Sequence, residues 1–467
     1  MQGSADQDRD SLQNMKPSRP ESERPQLEMY RTRLETFLKP NHPLLVIGKI
    51  VDWSWFEARY AGHFGEGGGP YALPVRLVVG LTYLKHAESL SDEELIEKWI
   101  ENPYWQHFCG FEYFQHKAPC DPSNLTRFRQ RLGEEGMQQM LQETLRIATS
   151  EGALKHQQLR EVIVDTTAQE KAIAFPTDAK LVHKAREKLV AQAQRDSIVL
   201  RQSYKRVSKH RLHKYARYSH AKQFNRARRV LKSMRTILGR VMRDVRRKVQ
   251  TSGAPMSEAM KTQLSLASRV HEQTGNRSAK NKVYSLHEPH VACIAKGKAH
   301  KPYEFGSKVS LLTTAEGSWV LGVKNFAGNP YDGSTLKAAI ADAESSTGVK
   351  VQTAYVDRGY RGAVHFPDHV TVIVAGRKRL SRRQHRLLKR RNAIEPVIGH
   401  MKQDHRLGRN FLKGTAGDAA NALLAGVGFN FRKLLRWLRR LFVFVQLALI
   451  GWGLASRLRH REFAVAR

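Results

Sequence analysis

The 467-residue chain predicts a mixed α/β fold: a sheet flanked by helices, led by an all-helical segment and interrupted between its first and second strands by a basic helical block. Three observations carry this. Apolar runs at 162–164 and 351–356 each deliver an aspartate, Asp165 and Asp357, and short apolar runs of this kind are the mark of buried strands. Further strand-like runs at 291–295, 305–313, 319–323 and 370–374 surround a helical stretch at 335–344, an order that describes a layered α/β sheet. Before residue 155 and between 180 and 250, apolar residues recur at helical spacing instead.

Taken in order, residues 1–42 form a charged, proline-bearing lead-in whose first 28 residues hold too little apolar material to order themselves. A helical domain over 43–155 follows, with a glycine-rich break at 65–69. Helical spacing runs from 73 to 86, and Ser91 with Glu94 forms a capping box for the next helix. Pro103 is expected to end that helix. Pro122 opens another, carrying Arg127, Arg129 and Arg131; this segment reads either as a helix-turn-helix on DNA or as a dimerisation and packing domain. The sheet domain spans 156–436. Asp165 is expected at the tip of its first strand, the strands from 291 to 323 form an antiparallel meander, and a basic turn lies at 296–298. The insertion occupies 178–282, with a helical hairpin followed by a polar linker over 251–282. An apolar helix over 441–455 and a basic tail complete a C-terminal segment, 437–467.

Lys and Arg exceed Asp and Glu to give a net charge of +36, which points to a polyanionic partner, nucleic acid first. Residues 180–250 alone hold 23 Lys and Arg against 3 acids. Such a block contacts phosphates, and its Tyr204, Tyr215, Tyr218 and Phe224 either stack on bases or pack within the hairpin. The 15-residue run at 441–455 falls short of the roughly 20 residues that span a bilayer. With a polar N-terminus and three unpaired-looking cysteines, the chain reads as cytoplasmic, without a membrane, disulfide framework or zinc site.

Glu395 is the one acid in a basic and apolar run from Arg391 to Lys402. It is either a surface ion-pair partner of Arg391 or a site residue. Asp165 and Asp357 are either turn formers or, with Glu395, a cluster of hard oxygen ligands suited to two Mg²⁺ ions. Such a pair serves phosphodiester displacement. His287, His290 and His300 fit no standard zinc spacing, and His400 and His405 are expected as exposed helix positions near DNA.

The order Asp165-Thr166-Thr167, then Asp357 through Gly362 (DRGYRG), then Arg391, Glu395 and Lys402, together with residues 300–306 (HKPYEFG), 409–414 (RNFLKG) and 421–430 (NALLAGVGFN), resembles the DDE transposases of bacterial insertion sequences, specifically the insertion-sequence-five group. The resemblance covers about residues 70–437. One departure is Leu388, where the family often has tyrosine. The resemblance implies an RNase H-like catalytic domain with Asp165, Asp357 and Glu395 as catalytic, metal-binding residues for two Mg²⁺ ions, Mn²⁺ substituting. It implies hydrolysis at the element's ends and attack of the freed 3′-hydroxyl on target DNA, by a homodimer or higher oligomer bound to double-stranded DNA. Arg391, Lys402, Arg358, Arg361, Arg409 and Lys413 are the expected DNA contacts. An RNase H-like endonuclease without strand transfer, and a catalytically dead DNA-binding relative, share most of these features.

Overall fold

The computed structural model describes residues 32–63, 72–253, 255–276, 278–295 and 302–465, without the side chains of 363 and 448–465. The first 28 residues, the break at 65–69, the basic turn at 296–298 and His300 lie outside the described residues.

The N-terminal helices are α1 (Leu34–Phe37), α2 (Pro43–Ile50), α3 (Trp53–Tyr60), α4 (Val75–Glu88), α5 (Asp92–Glu101), α6 (Pro103–Phe108) and α7 (Pro122–Ser150). α4 is buried along its length from Leu77 to Ala87, Lys85 and His86 included. Ser91 and Glu94 make both halves of the capping box on α5. Pro103 does more than end α5. It is the first residue of α6, and Asn102 Oδ1 accepts from the amides of Tyr104 and Trp105, because a first-turn amide has no intrahelical partner to lose. α7 turns at Gly133, whose φ of 61° is open to glycine. Arg129 on α7 points inward to Asp92 at 2.6 Å, alongside Lys85 at 2.5 Å, so it is structural.

After a 3₁₀ turn at His156–Arg160 comes β1 (Glu161–Glu170), then four helices, α8 (Asp178–Arg195), α9 (Lys205–His220), α10 (Phe224–Ser252) and α11 (Glu258–Gly275), then β2 (Ala292–Ala295), β3 (Tyr303–Thr314) and β4 (Val320–Phe326). α12 (Asp332–Thr347) precedes β5 (Thr353–Val356) and β6 (Thr371–Val374); α13 (Arg382–Arg390), a 3₁₀ turn at Arg391–Ala393, α14 (Ile394–Asp404) and α15 (Gly414–Val465) close the chain. β1 pairs antiparallel with β3 and parallel with β5, which pairs parallel with β6. β2 and β4 both run antiparallel to β3. They share one edge of that long strand, so the three are not a simple meander. β1 continues past Asp165 to Glu170, which corrects the expectation of a strand ending there: the polar residues 165–170 remain paired because β3 runs beside all of them.

Two cores result. One runs from α2 through α7 and the sheet into α15 as far as Leu438. The other belongs to α8, α10 and α11. The expected polar linker at 251–282 in fact contains α11, whose Met260, Leu264, Ala267 and Val270 form one buried stripe within a polar composition. The apolar run at 441–455 is the continuation of the 52-residue α15. His405 is buried, its ring bonded to the His86 carbonyl at 2.7 Å, which corrects its expected exposure near DNA: it closes the gap between the end of α14 and α4.

Where β1 ends, Lys171 lies buried between Asp418 at 2.6 Å and Glu288 at 3.3 Å, and His290 reaches Asp418 at 3.0 Å. Asp418 also accepts from Asn410 at 2.6 Å. Asp418→Ala leaves a buried cation short of a partner and is expected to cost about 3 kcal/mol, read as a lower denaturant midpoint. Burial holds the His405 ring at a pKa of about 4, against its ordinary 6.5. Its neutral form therefore stabilises the fold fully above pH 6.5, and that contribution falls by about 1.4 kcal/mol per pH unit down to about pH 4. His405→Gln is expected to flatten the decline of the melting temperature between pH 6.5 and 4.5.

Candidate active site

β5 carries its parallel register with β1 as far as Ile163 opposite Tyr355. Asp165, two residues on in β1, and Asp357, the first residue after β5, follow this paired end of the two strands, and both act with Asp332 on the buried Tyr360. Neighbouring strands lie about 4.8 Å apart, and the two carboxylates come from adjacent ones. Arg391 reaches Asp165 at 3.9 Å, and α14 packs beside β1. Glu395 lies in the first turn of α14, exposed, and makes no hydrogen bond or ion pair among the described residues. Arg391 thus pairs with Asp165, and the surface-pair alternative for Glu395 has no support in the contacts. Pro396 is accommodated in that first turn, where its missing amide costs nothing.

The loop after β5 folds back on itself. The Gly359 amide donates to Asp357 Oδ1 at 2.9 Å, and a Cβ on Gly359 would lie 3.0 Å from Asp357 and 3.5 Å from Asp332. Asp332, which begins α12, is a third aspartate here. It accepts from Thr166 Oγ1 and from Lys308 Nζ, both at 2.8 Å. Next to it, Tyr331 exchanges hydrogen bonds with the backbone of Arg361, tying the Asp357 loop to α12. The Tyr360 hydroxyl is buried beside Ser310. Burial first, then the charges of Asp165, Asp332 and Asp357, hold its pKa well above the usual phenol range.

The sequence pattern pointed to Asp165, Asp357 and Arg391, which the fold brings together, and to Glu395 on the adjoining helix. It missed Asp332, Lys308 and Tyr360. The signal for Asp332 was its place just after Pro330, an acid at a helix start, but helical spacing was recognised only from residue 335. Lys402 lies seven residues along α14 on the stripe of Glu395, 4.0 Å from the buried Glu304 on β3. Glu304 is seven residues from Leu311, the partner of Asp165, or about 23 Å along the strand. Arg358 and Arg361 are exposed on the loop after Asp357; Arg409, over the Phe411 ring at 5.5 Å, and Lys413 are exposed beyond α14. His290 serves the Asp418 network and His287 bonds to Ser285 at 3.0 Å. Among the described residues no three His, Cys, Asp or Glu side chains close on one point as a metal cage, and no helix is long and apolar enough to cross a membrane.

Residues 32–131 match the family described as Transposase domain (DUF772). That stretch is the helical segment through the first part of α7 and contains none of the acids above. A protein of Rhizobium meliloti, described as uncharacterized protein ORF8 in nfe locus, is 45% identical over 210 residues, which is 45% of this chain and 100% of that protein. No solved structure matches. The chain belongs to a transposase family.

Asp332→Ala leaves the largely buried Lys308 with the Pro330 carbonyl as its remaining hydrogen-bond acceptor. A loss of about 1–3 kcal/mol is expected, measured by urea unfolding; an unchanged midpoint would show that this pair contributes nothing.

Proposed function

We propose that the chain is a DDE transposase of the insertion-sequence-five group, with an RNase H-like catalytic sheet. The observation that carries this is that Asp165, in β1, and Asp357, just past the end of the neighbouring parallel β5, both act on Tyr360, with Arg391, just before the helix that bears Glu395, 3.9 Å from Asp165. The strand directions support it as well: three antiparallel strands ending in β1, then β5 and β6 parallel to it. An all-oxygen donor set fits a hard divalent cation. Asp165 and Asp357 would hold two Mg²⁺ ions, or Mn²⁺ in their place, with Glu395, which has no partner among the described residues, completing the set. Bound there, the ions supply an activated attacking oxygen and stabilise the leaving one.

Arg391 neutralises part of the charge on Asp165 and lies one turn from Glu395, where a phosphate would approach. Arg358 and Arg361 extend the cationic border along the loop after Asp357, while Arg409 and Lys413 lie exposed beyond α14. Lys402 is held by Glu304 and adds charge further along the sheet. Tyr360 sets a rigid, neutral floor under the acids, since burial and their charge keep its phenol protonated. The basic insertion, α8 to α11, grips the backbone of double-stranded DNA at the element's ends or in the target. Joining two ends calls for a homodimer or higher oligomer.

The test is strand transfer by the full chain with Mg²⁺ on a labelled duplex carrying the inverted repeats that flank its own coding sequence. Glu395→Gln, Asp165→Asn and Asp357→Asn are each expected to lower joined product by on the order of 10³-fold while leaving DNA binding intact. Cleavage without joining would favour an endonuclease. Binding without cleavage by wild type would leave a DNA-binding protein.

A further inference from the structure

On the side of α14 away from Glu395 lies a cavity of about 360 Å³, walled by His400, Asp404, Trp319, Phe429 and one stripe of α15. Nine residues separate Glu395 from Asp404, half a turn out of phase on the helix, so this cavity and the acids occupy opposite sides. Arg432, Arg436 and Arg440 follow one another at intervals of four on α15 and line the cavity together. Arg432 is engaged by Asp404 at 3.6 Å. Arg436 and Arg440 are exposed and make no hydrogen bond or ion pair among the described residues.

Deeper in, Lys433 is partly buried without a carboxylate partner among the described residues. Its ammonium donates to the carbonyls of Gly317 and Ser318 and lies 4.6 Å from the centre of the Trp319 ring. Burial lowers its pKa to about 8, the response of a cation that lacks a counter-charge. Trp437, half-buried, presents a further ring at the wall. Four cations against one acid call for an anion; the rings call for an aromatic body attached to it. The volume falls in the range of about 300–1,000 Å³ usual for small-molecule sites.

We propose that this cavity binds one nucleotide, with its phosphate between Arg436 and Arg440 and its base against Trp437, the nucleotide being either free or part of a DNA strand. The site is independent of the acids and of the reaction assigned to them. It is tested with the full chain by calorimetric titration with deoxyadenosine monophosphate and with inorganic phosphate. The expected result is saturable binding of the nucleotide, at least about tenfold tighter than phosphate. A double variant, Arg436→Ala with Arg440→Ala, should weaken it by at least about tenfold while thermal unfolding stays unchanged, since both side chains are exposed. Trp437→Leu should weaken the nucleotide but not phosphate. No saturable nucleotide binding, equal affinity for phosphate, or a double variant that binds like wild type would each overturn the proposal. A single strand carrying 2-aminopurine separates the sources: an emission change that the double variant lacks assigns the nucleotide to DNA, and its absence beside firm binding of the monophosphate assigns it to a free nucleotide.

Discussion

The ladder between β1 and β3 is the constraint on which the rest depends. It runs without a break from Val162 opposite Thr314 to Glu170 opposite Gly306. At its far end the backbones approach so closely that a side chain on Gly306 would collide with the Gln169 carbonyl. A slip of one residue would place a side chain in that contact and turn Asp165 to the opposite face. The register with β5 then leaves Asp357 beside Asp165. Strand pairing therefore sets Asp165, while Asp357 follows the end of β5 and is held by its own loop through the Gly359 amide.

A second constraint holds the remaining elements to this strand. Lys171, just past β1, Glu288 before β2 and Asp418 in α15 meet in one buried network, to which Asn410 and, through Gln169, Asn421 also bond. Gly428 further along α15 lies against the His86 carbonyl, with no room for a side chain. The end of β1, the segment leading into β2 and the N-terminal helices are thus fastened to the same final helix. Buried ion pairs gain little over apolar packing, but they accept few alternative partners, and here they select one arrangement.

Much of this was legible from residue pattern. The run before Asp165, the run before Asp357, the capping box at Ser91 and the single acid at Glu395 each state a local preference that the fold keeps. What was not legible is non-local. Nothing near Asp165 indicates that β3 will prolong β1 to Glu170. α11 hides five core residues among polar ones, and its stripe has meaning only against α8 and α10. His405 looks like an exposed helical histidine until α4 is placed beside it. Asp332 joins the acids through Thr166 and Lys308, residues 166 and 24 positions away, a distance that local pattern does not cross.

The insertion has a consequence in time. Glu170 leaves the ribosome 136 residues before its partner Gly306, which at roughly 5–20 residues per second is about 7–27 s. During that interval β1 exposes an apolar strand with an open edge, the state most prone to pair with a neighbouring chain. α8, α10 and α11 have a core of their own and can close before β3 arrives. Their closure draws the two ends of the insertion together and replaces a long flexible loop by a short one, which lowers the entropy lost when the ladder forms. The block that carries most of the basic charge is in this sense also the element that brings the strands of the sheet within reach of each other.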